Sequence, residues 1–453
     1  MQADGLGRSR ARYHKRGWSR EYNGFPVARD RHDSAVWGLY LAASGVIYSI
    51  TAMESLVALA GLVWVGTAVF RPGRAARPHV PLLVLFLALA AWSLASAILS
   101  PEPGLSLNDS LSMLLWVVAP MGTALLTPAR ARRVRELLLL QAGFLGAWAV
   151  LEYVFWWDGQ PLLRVRGPYS HHMTLAGVLV VTTLQGLPRP DLGGLFGRRV
   201  GSAAGRLAAG LGLMGMMATL TRSALLSVGA GLAVLCLTGS RARRHRRLKV
   251  SLAGGGLLLL SLLVTLPFMP STGGSQPGTA AQASITDRLV LWRAGWRMIS
   301  DHPFFGVGPH RVRRVAAEYL PPGYVRPGPP SHLHSAGLNL AAERGWPALL
   351  LAGLLYGAVL FPRPREGGGR DDPSGRGARA AVVAFLVMGL FENNFDDVEV
   401  LFVHLLTLAT LVAASWPPAC ARAPHPEEGG TQSGQGRQLT RSEGHLAAGV
   451  DPS

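Results

Sequence analysis

The chain has 453 residues, 49% of them hydrophobic, and a formal net charge of +18. In a soluble domain such basicity points to nucleic acid. Here the positive charge sits in gaps between apolar stretches that approach the ~20 residues needed to cross a bilayer, which excludes a nucleic-acid partner and leaves a polytopic membrane protein.

The first 34 residues are basic and polar and lack an apolar run followed by a small-residue cleavage site, so an uncleaved anchor is expected after a cytoplasmic tail. About twelve transmembrane helices are expected in an all-α fold, at 36–51, 53–70, 80–99, 108–127, 134–157, 172–188, 207–221, 223–238, 248–268, 334–361, 378–394 and 398–416. Charge gives a second signal. Basic residues fill alternate gaps, at Arg71/Arg74/Arg77, Arg130 to Arg135, Arg189 to Arg206, Arg241 to Lys249 and Arg363 to Arg379. By the positive-inside rule those gaps and both termini are cytoplasmic. The chain then divides into a tail (1–34), nine spans (35–268), a large extracytoplasmic loop (269–333), three spans (334–416) and a C-terminal tail (417–453) expected to be disordered. Cys236 and Cys420 offer neither a disulfide framework nor metal-ligand spacing.

The long outer loop opens with a Gly-, Ser- and Thr-rich stretch, 270–283. Ser284-Ile285-Thr286-Asp287 then reads as a variant capping box that starts a short amphipathic helix. Leu289, Trp292, Trp296 and Ile299 fall on one narrow apolar stripe of that helix, bordered by Arg288. Two placements follow, on the membrane surface or packed on the span bundle.

Four groups on the outer side are candidates for chemistry. Arg166 lies in Arg-Val-Arg-Gly-Pro-Tyr-Ser-His-His ahead of the sixth span, with Arg164 able to take its place. Arg222 stands alone between two apolar spans, where an ionised group is costly and marks a functional site or a specific partner. Arg288 is on the loop helix. His334, with His332 beside it, closes the loop in Ser-His-Leu-His-Ser; His171, His172, His302 and His310 are alternatives. Glu343 and Arg344, close to Gly345 and Pro347, interrupt the apolar run that follows, so a short separate helix is expected there. The acidic group Glu392, Asp396, Asp397 and Glu399 has the chemistry of a metal site, but its short polar loop reads better as a solvated connector.

Arg166-Gly-Pro with His171/His172, Leu-Thr-Arg222-Ser, Asp-Arg288-Leu through His-Pro-Phe-Phe-Gly-Val-Gly308, and His334-Ser335 followed by Gly345 together resemble the O-antigen ligase and polymerase-like superfamily of bacterial envelope glycosyltransferases. The resemblance covers roughly 160–350; Ala348 stands where such ligases often have a second glycine, which leaves ligase against polymerase open. It implies an inner-membrane transferase that moves glycan from an undecaprenyl-diphosphate carrier to a hydroxyl on a lipid or glycan acceptor, with inversion and without metal or cofactor. It further implies that Arg222 and Arg288 hold the diphosphate, Arg166 the diphosphate or adjacent sugar, and His334 activates the acceptor. Protein glycosylation within the family, and transport of an anionic solute outside it, are the rival expectations.

Overall fold

The computed structural model describes residues 31–47, 49–71, 77–156, 164–238, 279–324, 330–362 and 373–415. Among these residues the regular structure is helical and no strand occurs. The ninth expected span, 248–268, most of the loop's opening stretch and nearly all of both tails lie outside the described residues.

The first helices are α1 (Arg31–Gly45), α2 (Ile50–Phe70) and α3 (Val80–Ile98), then α4 (Pro103–Asp109), α5 (Val118–Leu125) and α6 (Pro128–Phe155). They are followed by α7 (His172–Gly186), α8 (Gly193–Phe196), α9 (Arg198–Ala218) and α10 (Arg222–Leu237). After the undescribed segment come α11 (Thr279–Asp301), α12 (Val312–Tyr319), α13 (Ala336–Leu360), α14 (Pro373–Met388) and α15 (Val398–Ser415). Helices α2, α3, α6 and α15 are long and apolar enough to cross a membrane; Met113–Leu125, His172–Gly186 and Arg222–Leu237 are shorter apolar helices. Outward-facing Leu59, Leu62, Val65 and Phe70 on α2, and Leu350 and Leu354 on α13, make apolar surface that suits lipid and not water.

Helix α15 is the axis of the bundle. It packs against α5, α6, α7 and α14, and every residue from Val400 to Ala413 is buried. Its polar side chains find partners inside: His404 Nε2 lies 2.8 Å from the Tyr356 hydroxyl, and Thr407 Oγ1 donates to Gln185 Oε1 at 2.9 Å. In hydrocarbon no water would satisfy them. Helices α6 and α9 meet through small residues, as helices do where no hydrophobic effect drives them together. A Cβ on Gly146 would lie 2.2 Å from the Leu211 carbonyl oxygen, and one on Gly143 2.7 Å from Ala208 Cβ.

The fourth expected span is not one helix. The stretch after α4 is a 3-10 helix (Ser110–Val117) that gives way to α5. Pro120, in the first turn of α5, supplies no N–H to the carbonyl four residues earlier, and the preceding turns tighten.

The break expected near Gly345 is present in α13. Gly345 has φ 77° and ψ 174°, and Pro347 follows. The carbonyls freed by the break are taken up by the turn after α11. Val307 N–H donates to Ala342 O at 2.9 Å, Gly308 N–H to Glu343 O at 3.0 Å, and Trp346 N–H to Pro303 O at 2.9 Å. Ser96 Oγ from α3 donates to Phe305 O at 2.6 Å, and Trp92 Nε1 to Arg344 O at 2.9 Å. The His-Pro-Phe-Phe-Gly-Val-Gly motif is thus a main-chain clasp on a broken helix.

Two expectations for the loop helix are corrected. It begins at Thr279, so Ser284 to Asp287 lie inside it and do not cap it. Its buried face is Leu291, Ala294, Met298 and Ile299, packed with Leu333, Ala341 and Ala342, whereas Leu289 and Trp296 are exposed. Of the expected stripe only Ile299 is buried in this core. The helix packs on α13, and Trp296 instead meets Trp346 at 5.7 Å between ring centroids.

A Cβ on Gly345 would stand 1.9 Å from the Phe304 carbonyl oxygen. Gly345→Ala is therefore expected to cost about 1–3 kcal/mol from backbone strain alone, with the clash added. Thermal unfolding of the detergent-solubilised protein should show a lowered Tm. Gly353→Ala, where a Cβ meets nothing within 4 Å, should not lower it.

Candidate functional site

Glu392 is the meeting point of the site. It lies on the α14–α15 connector, is 4% exposed, and accepts a hydrogen bond from Arg288 Nη2 on Oε1 at 2.8 Å. Its other oxygen, Oε2, faces His334 Nδ1 at 3.6 Å, within ion-pair range but too far for a hydrogen bond. Burial pushes this carboxyl up. Contact with His334 and the charges of Arg288, His334 and His332 outweigh that and hold it below the ordinary carboxylate value. The solvated-connector reading is corrected here, since Glu392, Asn393 and Asn394 are all buried.

The backbone around His334 is held at several points. Ala336 N–H, at the start of α13, donates to Gly389 O at 2.7 Å, which fixes the helix to the connector. Leu333 N–H donates to Asn339 Oδ1 at 3.2 Å, and His334 N–H to His332 Nδ1 at 3.2 Å. His332 Nδ1 is thereby an acceptor, and it is His334 that faces the carboxylate.

Arg222 is the first residue of α10, reached by a tight turn after α9. It lies within electrostatic reach of Arg288, and Arg164 lies within reach of Arg222. Burial first, and then Arg222, hold the Arg164 guanidinium below the ordinary arginine value. Arg164 Nη1 also sits 3.3 Å from His172 Nε2, and His172 in turn senses Glu392. Arg288 and His334 therefore meet at one carboxylate, and Arg222, Arg164 and His172 extend the cluster from Arg288 by charge and contact. Among the described residues, the non-glycine residues with positive φ are Leu220 (50°), His310 (55°) and His334 (49°). Two of them flank or belong to this cluster, and strained backbone of this kind concentrates at functional sites.

Arg166 is not drawn in. It is exposed, and its main-chain N–H donates to Glu152 Oε1 at 3.1 Å while Gly167 N–H donates to Oε2 at 2.8 Å. Glu152, at the end of α6, fastens the turn through its backbone. The half-buried residue on the other side of fully buried Val165 is Arg164, and it is Arg164 that reaches the cluster. Glu392 had no signal of its own in the sequence. The connector's remaining acids divide. Asp397 accepts from Thr174 Oγ1 at 2.6 Å, and its carboxyl is pushed up by burial; Asp396 is exposed. Among the described residues no group of three or more His, Cys, Asp or Glu side chains gathers as a metal site requires.

Residues 207–353 match the O-antigen ligase family model. The match supports the O-antigen ligase-like superfamily, whose members are membrane glycosyltransferases of ligase or polymerase type. Together with the apolar helices it indicates an integral membrane protein. Arg222, Arg288, His334 and the clasp fall inside the matched stretch; Arg164 and Glu392 fall outside it. No curated protein matches the chain.

Because the folded Glu392 carboxyl is depressed, its contribution to stability is complete above the ordinary carboxylate value, 4.5, and is lost as pH falls through the lower folded value. Glu392→Gln should reduce thermal stability at pH 7 and flatten the acid-side decline between about pH 5 and 3. A Tm–pH series on both proteins checks the sign.

Proposed function

We propose that this protein is an O-antigen ligase-like glycosyltransferase of the bacterial inner membrane. On this reading it has about twelve spans with both termini cytoplasmic, and it acts on the outer face. It transfers glycan from an undecaprenyl-diphosphate carrier to a hydroxyl of a lipid or growing-glycan acceptor. The observation that carries the reading is the single carboxylate shared by Arg288 and His334, with Arg222 within electrostatic reach of Arg288.

In the transfer, the bond between the anomeric carbon and the diphosphate oxygen breaks, and the acceptor oxygen bonds to the same carbon from the opposite face. The electron pair leaves with the diphosphate. Arg222 and Arg288, joined by Arg164, hold that growing charge, since guanidinium stays protonated and fits phosphate oxygens in pairs. Arg166 is left to a sugar or to solvent. His334 takes the hydroxyl proton. With Nδ1 turned to Glu392, its N–H is directed at the carboxylate and Nε2 is the basic atom. The 3.6 Å separation closes when the substrate is bound, as catalytic hydrogen bonds commonly do. The arginines supply the electrostatic work that a divalent cation supplies in other diphosphate enzymes, which makes the reaction metal-independent on this reading.

Arg288→Ala and His334→Ala are each expected to lower transfer from a carrier-diphosphate glycan by at least ~100-fold, with membrane insertion and protein level unchanged. Arg164→Ala should cost more activity than Arg166→Ala. In vitro transfer with purified protein and separate lipid, glycan and peptide acceptors measures all of this. Near-normal rates in both the Arg288 and His334 variants would remove the assignment.

A further inference from the structure

The side of α11 turned away from α13 has a surface of its own. Leu291, Ala294, Met298 and Ile299 are buried, whereas Thr286, Leu289, Arg293, Trp296, Arg297 and Ser300 are exposed. With 3.6 residues per turn, the exposed six fall in a strip about 100° wide, Leu289 and Trp296 toward one edge and Arg293 and Arg297 toward the other.

The apolar edge continues beyond the helix. Trp296 meets Trp346 on α13, with ring centroids 5.7 Å apart. Trp346 N–H donates to Pro303 O at 2.9 Å, which brings Phe304 to the same place. All three rings are exposed, and farther along α13 the exposed Leu350 and Leu354 extend the apolar surface that suits lipid. Tryptophan rings at the end of such a surface mark the headgroup level of a bilayer. The rings thus set the depth of the helix, and the arginine edge beside them comes to the level of lipid phosphates.

That edge has uncompensated charge. Arg293 has no hydrogen-bond or ion-pair partner among the described residues. Arg297 Nη1 donates to the neutral Tyr319 carbonyl oxygen at 3.4 Å, and Asp301, one turn on, is engaged by the Tyr319 hydroxyl. Four residues apart on a helix, the two guanidiniums are neighbours. A zwitterionic headgroup brings its own cation to such a pair, whereas an anionic one brings net negative charge. Each arginine at an anionic membrane surface adds about fivefold in affinity. The chain's own apolar stretch 248–268 could cover the apolar edge, but it holds no acidic residue to answer the arginines.

We propose that this face of α11 docks on the bilayer, with Trp296, Trp346 and Phe304 in the interface and Arg293 and Arg297 on the phosphate of an anionic phospholipid. The proposal needs only the membrane setting and not the transferase reading. Arg288, which pairs with Glu392, lies five residues before Arg293 on the same helix, so the lipid contact anchors the element that carries it.

The test uses the full chain in phosphatidylcholine nanodiscs that contain a small fraction of phosphatidylglycerol with a photoreactive diazirine on its headgroup. Adducts are mapped by peptide mass spectrometry. Wild type should carry adducts within 289–304, and Arg293→Gln/Arg297→Gln should carry there fewer by at least about fivefold. Phosphatidylcholine bearing the same label on wild type should give a similar reduction. No adduct within 289–304 on wild type, as expected if 248–268 covers the face, overturns the proposal. So does an equal yield from the two headgroups, or a yield that the double variant leaves unchanged.

Discussion

A helix that breaks where protein surrounds it must find partners for the backbone groups it releases, and α13 breaks at Gly345. The 303–308 turn answers that requirement with its own N–H and C=O groups, and α3 adds Ser96 and Trp92. The outcome is a joint in which the turn, α3 and the broken helix are held by hydrogen bonds. Helix α11, which carries Arg288, leads into the turn, while the first part of α13, which follows His334, ends at the break. The relative positions of Arg288 and His334 therefore depend on main-chain bonds and not on long side chains.

Onto that joint the connector adds one buried carboxylate. A lone buried charge is costly, and removing one partner of such a group leaves the others uncompensated. Glu392 answers to Arg288 on one oxygen and His334 on the other. The connector is itself fixed through Gly389 to the start of α13. Helix α15 starts at the far end of the connector and forms the bundle's buried axis. A helix buried from Val400 to Ala413 is thus continuous with the connector that carries Glu392.

Much of this was legible in the chain. Apolar length identified helices, Gly345 with Pro347 identified the break, and Arg288 and His334, both singled out in the chain, face the same carboxylate. What escaped was decided by tertiary packing. A short loop holding Glu392, Asn393, Asn394 and two aspartates has the same composition whether water or protein surrounds it. Arg164 and Arg166 flank Val165 symmetrically in sequence, and only the folded turn, whose backbone Glu152 holds from fourteen residues away, shows that Arg164 meets His172 while Arg166 is exposed. On α11 the exposed tryptophan drew the expected stripe to the wrong face, because an apolar ring at a membrane surface can face lipid as readily as core. The 3-10 segment follows from Pro120, a local cue that apolar length alone conceals.

The arginines' mutual repulsion bears on the chemistry. Arg222 senses Arg288, and Arg164 senses Arg222, in a partly buried setting where water screens such charges poorly. Glu392 offsets only part of this and is already shared with an imidazole. An excess of positive charge held in place before substrate arrives has a directional consequence on the proposed reading. It favours a diphosphate in the ground state, and favours it more as the glycosidic bond breaks and negative charge grows on the leaving oxygen. Stabilisation that grows along the reaction coordinate lowers the barrier, whereas equal binding of both states would not. A carboxylate partner for every arginine would cancel that difference. On the proposed reading, a single carboxylate paired with Arg288 alone preserves it and still faces His334.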